Sequence, residues 1–133
     1  MDRRVNDFLL DTHALLFWLF DDARLSTRAR GLIGDPDNRI HVSSASAWEI
    51  TTKHRIGKLS VADTLVRDIS GWIARAGFLP LPITVAHAQK SGSWVQDHRD
   101  PFDRMLAAQS VLEGWPLVTS DRALEQFGAA TVW

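Results

Sequence analysis

Strand-length apolar runs alternate with helix-length patterns along this chain, and no hairpin turn signal joins any two of the runs. Successive parallel strands need long crossover connections, usually helical, so this alternation implies right-handed crossovers and a mostly parallel sheet. Phe8-Leu9-Leu10 opens the series as a buried strand, followed from Thr12 to Phe20 by a helix that is apolar nearly all round. A helix patterned in that way packs on more than one side. Asp21-Asp22-Ala23 breaks it, Ser26 N-caps a helix through Ile33, and Gly34 with the turn Asp35-Pro36-Asp37-Asn38 ends that helix. Ile40 to Ser43 reads as the second strand and Ser44 to Ile56 as a helix stopped by Gly57.

From Ala62 to Ala76 a single amphipathic helix is expected, with Leu65, Ile69, Trp72 and Ile73 at helical spacing and Gly77 at its end. Phe78 to Leu81 forms a weak third strand whose Pro80 suits a sheet edge. Thr84 caps a short helix to Lys90, and the polar loop Ser91 to Arg99 leads to Asp100-Pro101. Phe102 to Glu113 is helical and ends at Gly114, and Leu117 to Thr119 is the fourth strand. Asp121 to Phe127 is a short helix and Ala130 to Val132 the last strand. With no repeats, low-complexity tracts or linkers, the 133 residues are expected to form one α/β domain, large enough to bury a core without staples.

Composition excludes several classes. There is no cysteine, which rules out disulfides and thiolate zinc sites and permits a reducing cytoplasm. The start, Met1 to Asp7, leads into an apolar run too short and too acidic for a signal peptide, and no stretch approaches the ~18 apolar residues of a membrane span. A soluble, cytoplasmic protein is expected. A net charge of −1 argues against bulk electrostatic capture of nucleic acid, but not against a nuclease whose metal ions add local positive potential. Six tryptophans with no tyrosine are more than a small core needs and suggest a partner surface.

Four acids stand out against this framework. Asp11 closes the first strand, Glu49 lies in the small-residue helix after the second, Asp103 sits in the first turn of the helix opened by Asp100-Pro101, and Asp121 follows the fourth strand. In parallel α/β sheets the carboxyl ends of the strands share one crevice, so such residues converge. Carboxylates gathered there repel unless a cation lies between them, which points to a divalent-metal site. Singly, each acid also has a structural role: Asp11, Asp100 and Asp121 suit helix N-caps, Asp103 suits the N3 position, and Glu49 can pair with Lys53 at i+4.

The segments Leu9 to Leu16, Ser43 to Ile50, His98 to Gln109 and Leu117 to Asp121 resemble, in order, the motifs of PIN-domain ribonucleases, and most of all the VapC-type toxins of bacterial toxin-antitoxin pairs. The likeness spans residues 7 to 132. It implies a three-layer α/β fold with a mostly parallel five-stranded sheet in order 3-2-1-4-5, flanked by helices. It also implies that Asp11, Glu49, Asp103 and Asp121 are catalytic and bind Mg²⁺ or Mn²⁺. The expected reaction is in-line attack of metal-activated water on an RNA phosphodiester, with one ion or two.

Around the acids, Thr12, Asp100 and Thr119 are candidate supporting residues, and Lys53, with His54, Arg55 and Lys58, is a candidate contact to the RNA backbone or simply part of a solvated helix end. Arg99 and Arg104 flank the acidic pair and are read as leaning on phosphate or neutralising carboxylates, while His98 shapes the site, shuttles protons, or is an ordinary surface histidine. The resemblance further implies a cognate antitoxin docking on part of the apolar helix Leu15 to Phe20, and a homodimer. Two rivals fit less well. A haloacid-dehalogenase-type phosphatase would carry a second aspartate where His13 stands, and a response-regulator receiver would need a lysine after the fifth strand. A non-catalytic PIN-like binding module is the remaining alternative, and metal affinity discriminates it.

Overall fold

The structure, a computed structural model, describes residues 6–133. Met1 to Val5, and with them most of the stretch read against a signal peptide, lie outside the described residues. In chain order the elements are β1 (Asn6–Leu10), α1 (Thr12–Leu19), α2 (Thr27–Gly34), β2 (Asn38–Ser43), α3 (Ser44–Arg55), α4 (Asp63–Arg67), α5 (Ile69–Arg75) and β3 (Leu79–Leu81). There follow α6 (Val85–Ser93), α7 (Pro101–Glu113), β4 (Leu117–Val118), a 3₁₀ helix (Arg122–Phe127) and β5 (Thr131–Val132). The sheet order is β3-β2-β1-β4-β5 and all its pairings are parallel. Pro80 lies on the edge strand β3, where a missing ladder donor is tolerated.

The central strand explains the three layers. Alternate residues of a strand face opposite sides of the sheet. Leu10 joins Val42 and Val118 with Leu15 of α1, Ile33 of α2 and Ile73 of α5 on one face. Leu9 joins Leu117 with Leu106 and Ala107 of α7 and Phe127 on the other. Leu9 and Leu10 are both wholly buried, so the continuous apolar run reads as a strand covered on two faces. Ala107 and Ala108 are wholly buried too, which lets α7 approach closely. Its C-terminus closes on Gly114, whose φ of 74° is the left-handed cap conformation that glycine adopts without strain. Among the described residues no helix is long and apolar enough to cross a membrane.

The expected single helix from Ala62 to Ala76 is instead two, α4 and α5, broken at Asp68 (φ −149°, ψ 55°). The Asp68 side chain caps α5 by accepting from the Gly71 N–H at 3.0 Å. A Cβ at position 71 would lie 2.2 Å from an Asp68 carboxylate oxygen, so glycine is what makes room for this cap. Helix α6 runs on to Ser93, past the expected end at Lys90, and the segment after β4 is a 3₁₀ helix. We expect Leu106→Ala to destabilise the chain by about 2–5 kcal/mol, because it opens a cavity in the layer under the acidic site. Urea denaturation with an unchanged m-value would measure it.

Candidate metal centre

Strands β2, β1 and β4 are neighbours, so the segments leaving their carboxyl ends lie side by side. Asp11 follows β1 directly and caps α1, its Oδ1 accepting from the Ala14 N–H at 2.7 Å. Glu49 lies in the second turn of α3, which starts where β2 ends. Asp121 follows β4 and caps the 3₁₀ helix, its Oδ1 accepting from Ala123 N–H at 3.0 Å while its own N–H donates to the Thr119 hydroxyl at 3.0 Å. Asp103 comes from the other direction, in the first turn of α7 behind the cap Asp100, whose Oδ1 accepts from the N–H groups of Phe102 (2.9 Å) and Asp103 (3.3 Å).

The electrostatics show that these acids share one field. Burial pushes the Asp103 carboxyl up to about 7, and Asp100, Glu49, Asp11 and Asp121 each add to the rise. Burial also raises the pKa of Asp11, against the opposing influence of Thr119, the Ala14 N–H and His13, and Glu49 adds to the increase. Nε2 of His98 lies 3.7 Å from Asp121 Oδ2 and 4.0 Å from Asp103 Oδ2, and these three side chains present ligand atoms within 4.8 Å of one another. Glu49 is buried, with Oε2 paired to Lys53 and Oε1 lacking any hydrogen-bond partner.

The surrounding candidates divide. Thr12 donates to the Ser46 hydroxyl at 3.0 Å in a buried contact that ties α1 to α3 beside Asp11 and Glu49. Lys53 faces the acids: burial works against its charge, but the bond to Glu49 and the fields of Glu49, Asp100 and Asp103 outweigh it and raise its pKa. Arg99 is exposed and 3.8 Å from the equally exposed Asp97. Arg104 does not neutralise the carboxylates, one of the two roles read for it from the sequence. Its guanidinium donates to the carbonyls of Ser91, Trp94, Gln96 and His98 at 2.6–3.2 Å and holds the loop that carries His98. Ser46 and Trp48 lie in the second motif but were not among the candidate site residues. Trp48 adjoins Glu49, is 55% exposed and packs T-shaped on Phe102 at 4.7 Å, and its signal was a large aromatic in an otherwise small-residue helix.

The donor set suits a hard divalent cation: carboxylate oxygens match Mg²⁺ or Mn²⁺, and the unpartnered Glu49 Oε1 is a buried acceptor that only a cation or donor would satisfy. The family model described as "PIN domain" matches residues 8–130. The chain belongs to the PIN-domain family. It is 28% identical over 131 residues to ribonuclease VapC22 of Mycobacterium tuberculosis, covering 94% of this chain and 97% of that protein. It is also 37% identical over 75 residues to ribonuclease VapC16 of the same organism, covering 54% of this chain and 52% of that one. The fold matches a chain of VapBC2 from Rickettsia felis, solved bound to a DNA fragment from its promoter, with a TM-score of 0.65 at 12% identity over 95% of this chain and 97% of that one. A PIN domain is a parallel α/β fold with its sheet in this order.

Because the folded chain holds the Asp103 proton up to about 7 while an unfolded aspartate loses it near 3.8, the folded state binds more protons between those values. The metal-free chain is therefore expected to lose stability as pH rises from about 4 to about 7, by at most ~1.4 kcal/mol per pH unit across that window. Asp7, held low by Arg39 and His41, acts in the opposite sense and only below that window. Thermal melting in EDTA at pH 5 and pH 8 should show the higher midpoint at pH 5, and Asp103→Asn should reduce the difference, with Asp11, whose pKa burial also raises, acting in the same sense.

Proposed function

We propose that this chain is a divalent-metal-dependent endoribonuclease, a single PIN domain over residues 1–133 acting in the cytoplasm as the toxin of a toxin-antitoxin pair. Asp11, Glu49, Asp103 and Asp121 are its catalytic and metal-binding residues, and Mg²⁺ or Mn²⁺ is the ion. The observation that carries this is the convergence of the acids in one cleft, where burial pushes Asp103 up to about 7, with Asp100, Glu49, Asp11 and Asp121 adding to the rise, and where Glu49 is buried with one oxygen lacking a hydrogen-bond partner. The ribonuclease name of a relative aligned over 94% of the chain supports it. When bound, such an ion makes hydroxide accessible near neutral pH and offsets charge on the phosphoryl oxygens.

The protein's own part is to hold and orient. Caps fix Asp11, Asp100 and Asp121 through one oxygen each, Thr119 holds the backbone of Asp121, and Arg104 fixes the loop that places His98 at the edge of the acids. Of the basic residues at and just beyond the end of α3, His54 pairs with Asp63 at 3.2 Å, while Arg55 and Lys58 are exposed, and we assign to them contacts with the RNA backbone. Between α1 and residues 59–62 a groove of about 450 Å³ is walled by Leu16, Phe17 and Phe20. We assign this groove to an apolar segment of a cognate antitoxin, and a separate face to a second copy of the chain.

The test uses purified chain freed of any partner and incubated with RNA in Mg²⁺ or Mn²⁺, with and without EDTA. Cleavage should require the ion, and Asp11→Asn or Asp103→Asn should reduce it by at least about 100-fold, the upper end of what even a supporting partner contributes to a metal site. Full activity in Asp103→Asn would overturn the assignment of that residue. Neither cleavage nor metal binding would favour a non-catalytic binding module on the same fold.

A further inference from the structure

The acids of this site are not equally in need of a cation. At one side the Lys53 ammonium pairs with Glu49 Oε2, four residues earlier on α3, and lies 4.0 Å from Asp100 Oδ2 on α7. It also stands 5.8 Å from the centre of the Phe102 ring, whose face attracts a cation. At the other side Asp103 and Asp121 form ion pairs only with His98 among the described residues, although Asp103 lies close enough to Lys53 to raise its pKa. Here the ligand atoms of His98, Asp103 and Asp121 fall within 4.8 Å of one another, while Asp11 and Glu49 stand outside that group. Glu49 Oε1, unpartnered on a side chain only 5% exposed, remains open to whatever enters.

A divalent ion approaching Asp103 and Asp121 therefore displaces no lysine or arginine paired with them. One approaching Glu49 and Asp100 must displace an ammonium tethered to the same helix, which acts at a high effective concentration. Two-metal sites that cleave phosphodiesters hold their ions ~3.5–4 Å apart, so a single built-in charge on one side of the cluster suffices to exclude the second. We infer that this chain binds one divalent ion, on the Asp103 and Asp121 side, and that the Lys53 ammonium occupies the place a second ion would take between Glu49 and Asp100. This inference rests on the metal-dependent reading above and adds the stoichiometry and the residue that sets it.

Counting bound Mn²⁺ tests it without reference to activity. The full chain is titrated with Mn²⁺ near neutral pH while electron paramagnetic resonance reports the free ion, and circular dichroism checks that each variant is folded. The expected result is one Mn²⁺ per wild-type chain, one in Lys53→Arg, and two in Lys53→Met and Lys53→Gln. Two ions in the wild type, or a count that stays at one in both neutral variants, overturns the inference and leaves the nuclease reading intact. A wild-type chain that binds no Mn²⁺ and whose RNA cleavage ignores EDTA overturns both. The wild-type count alone can decide against the inference, so a variant that fails to fold does not shield it.

Discussion

Mutual repulsion among carboxylates is the constraint around which the rest of this structure is arranged. Isolated in water each acid would ionise near pH 4, yet in the cleft burial and neighbouring charge drive Asp11 and Asp103 upward together. A chain tolerates such a cluster only if other interactions hold its members in place. Here they come from the layers beneath. Leu9 and Leu10 bury the strand that delivers Asp11, Leu117 and Val118 the strand that leads to Asp121, and Leu106 with Ala107 the helix that carries Asp103. The polar cleft sits on the carboxyl end of the most apolar part of the sheet.

The helix caps resolve an apparent choice between structural and chemical roles. Asp11, Asp100 and Asp121 each direct one carboxylate oxygen to backbone N–H groups and leave the other outside the cap. Each N-terminus then fixes its acid in one orientation without consuming it. An acid that starts a helix is also favoured there by the aligned backbone dipoles, which partly offset the repulsion from its neighbours. Stability and site geometry thus draw on the same bonds.

Much of this was legible in the residues. The apolar runs around Leu9, Val42 and Leu117 gave the strand positions, the lack of hairpin signals gave their parallel sense, and Pro80 marked the edge. Asp11, Asp103 and Asp121 could be picked out because each stands where a strand or loop gives way to a helix, and Glu49 as the lone acid of a small-residue helix, while their joint metal-binding role was implied by the family resemblance. Other features left no such trace. The apolar spacing of Leu65, Ile69 and Ile73 continues in step across Asp68, so periodicity alone could not reveal the break between α4 and α5. Arg104 lies one residue from Asp103 and reads as its charge partner, whereas its real partners are backbone carbonyls, which every residue possesses and no sequence advertises. His87, on the short helix capped by Thr84, is buried, its Nδ1 accepting from the Thr84 N–H and its Nε2 pairing with Glu113 on α7.

The Arg104 guanidinium has a bearing on how a polymer reaches the acids. It binds carbonyls at four positions from Ser91 to His98 from a helix anchored in the core, so opening that loop also costs these side-chain bonds. Segments tied in this way exchange and open as one cooperative unit with the element that holds them. The loop is therefore a fixed wall and not a gate. In the proposed reaction the bending needed to bring a phosphodiester down to Asp103 falls on the nucleic acid, which favours strands free of base pairing over stiff duplex.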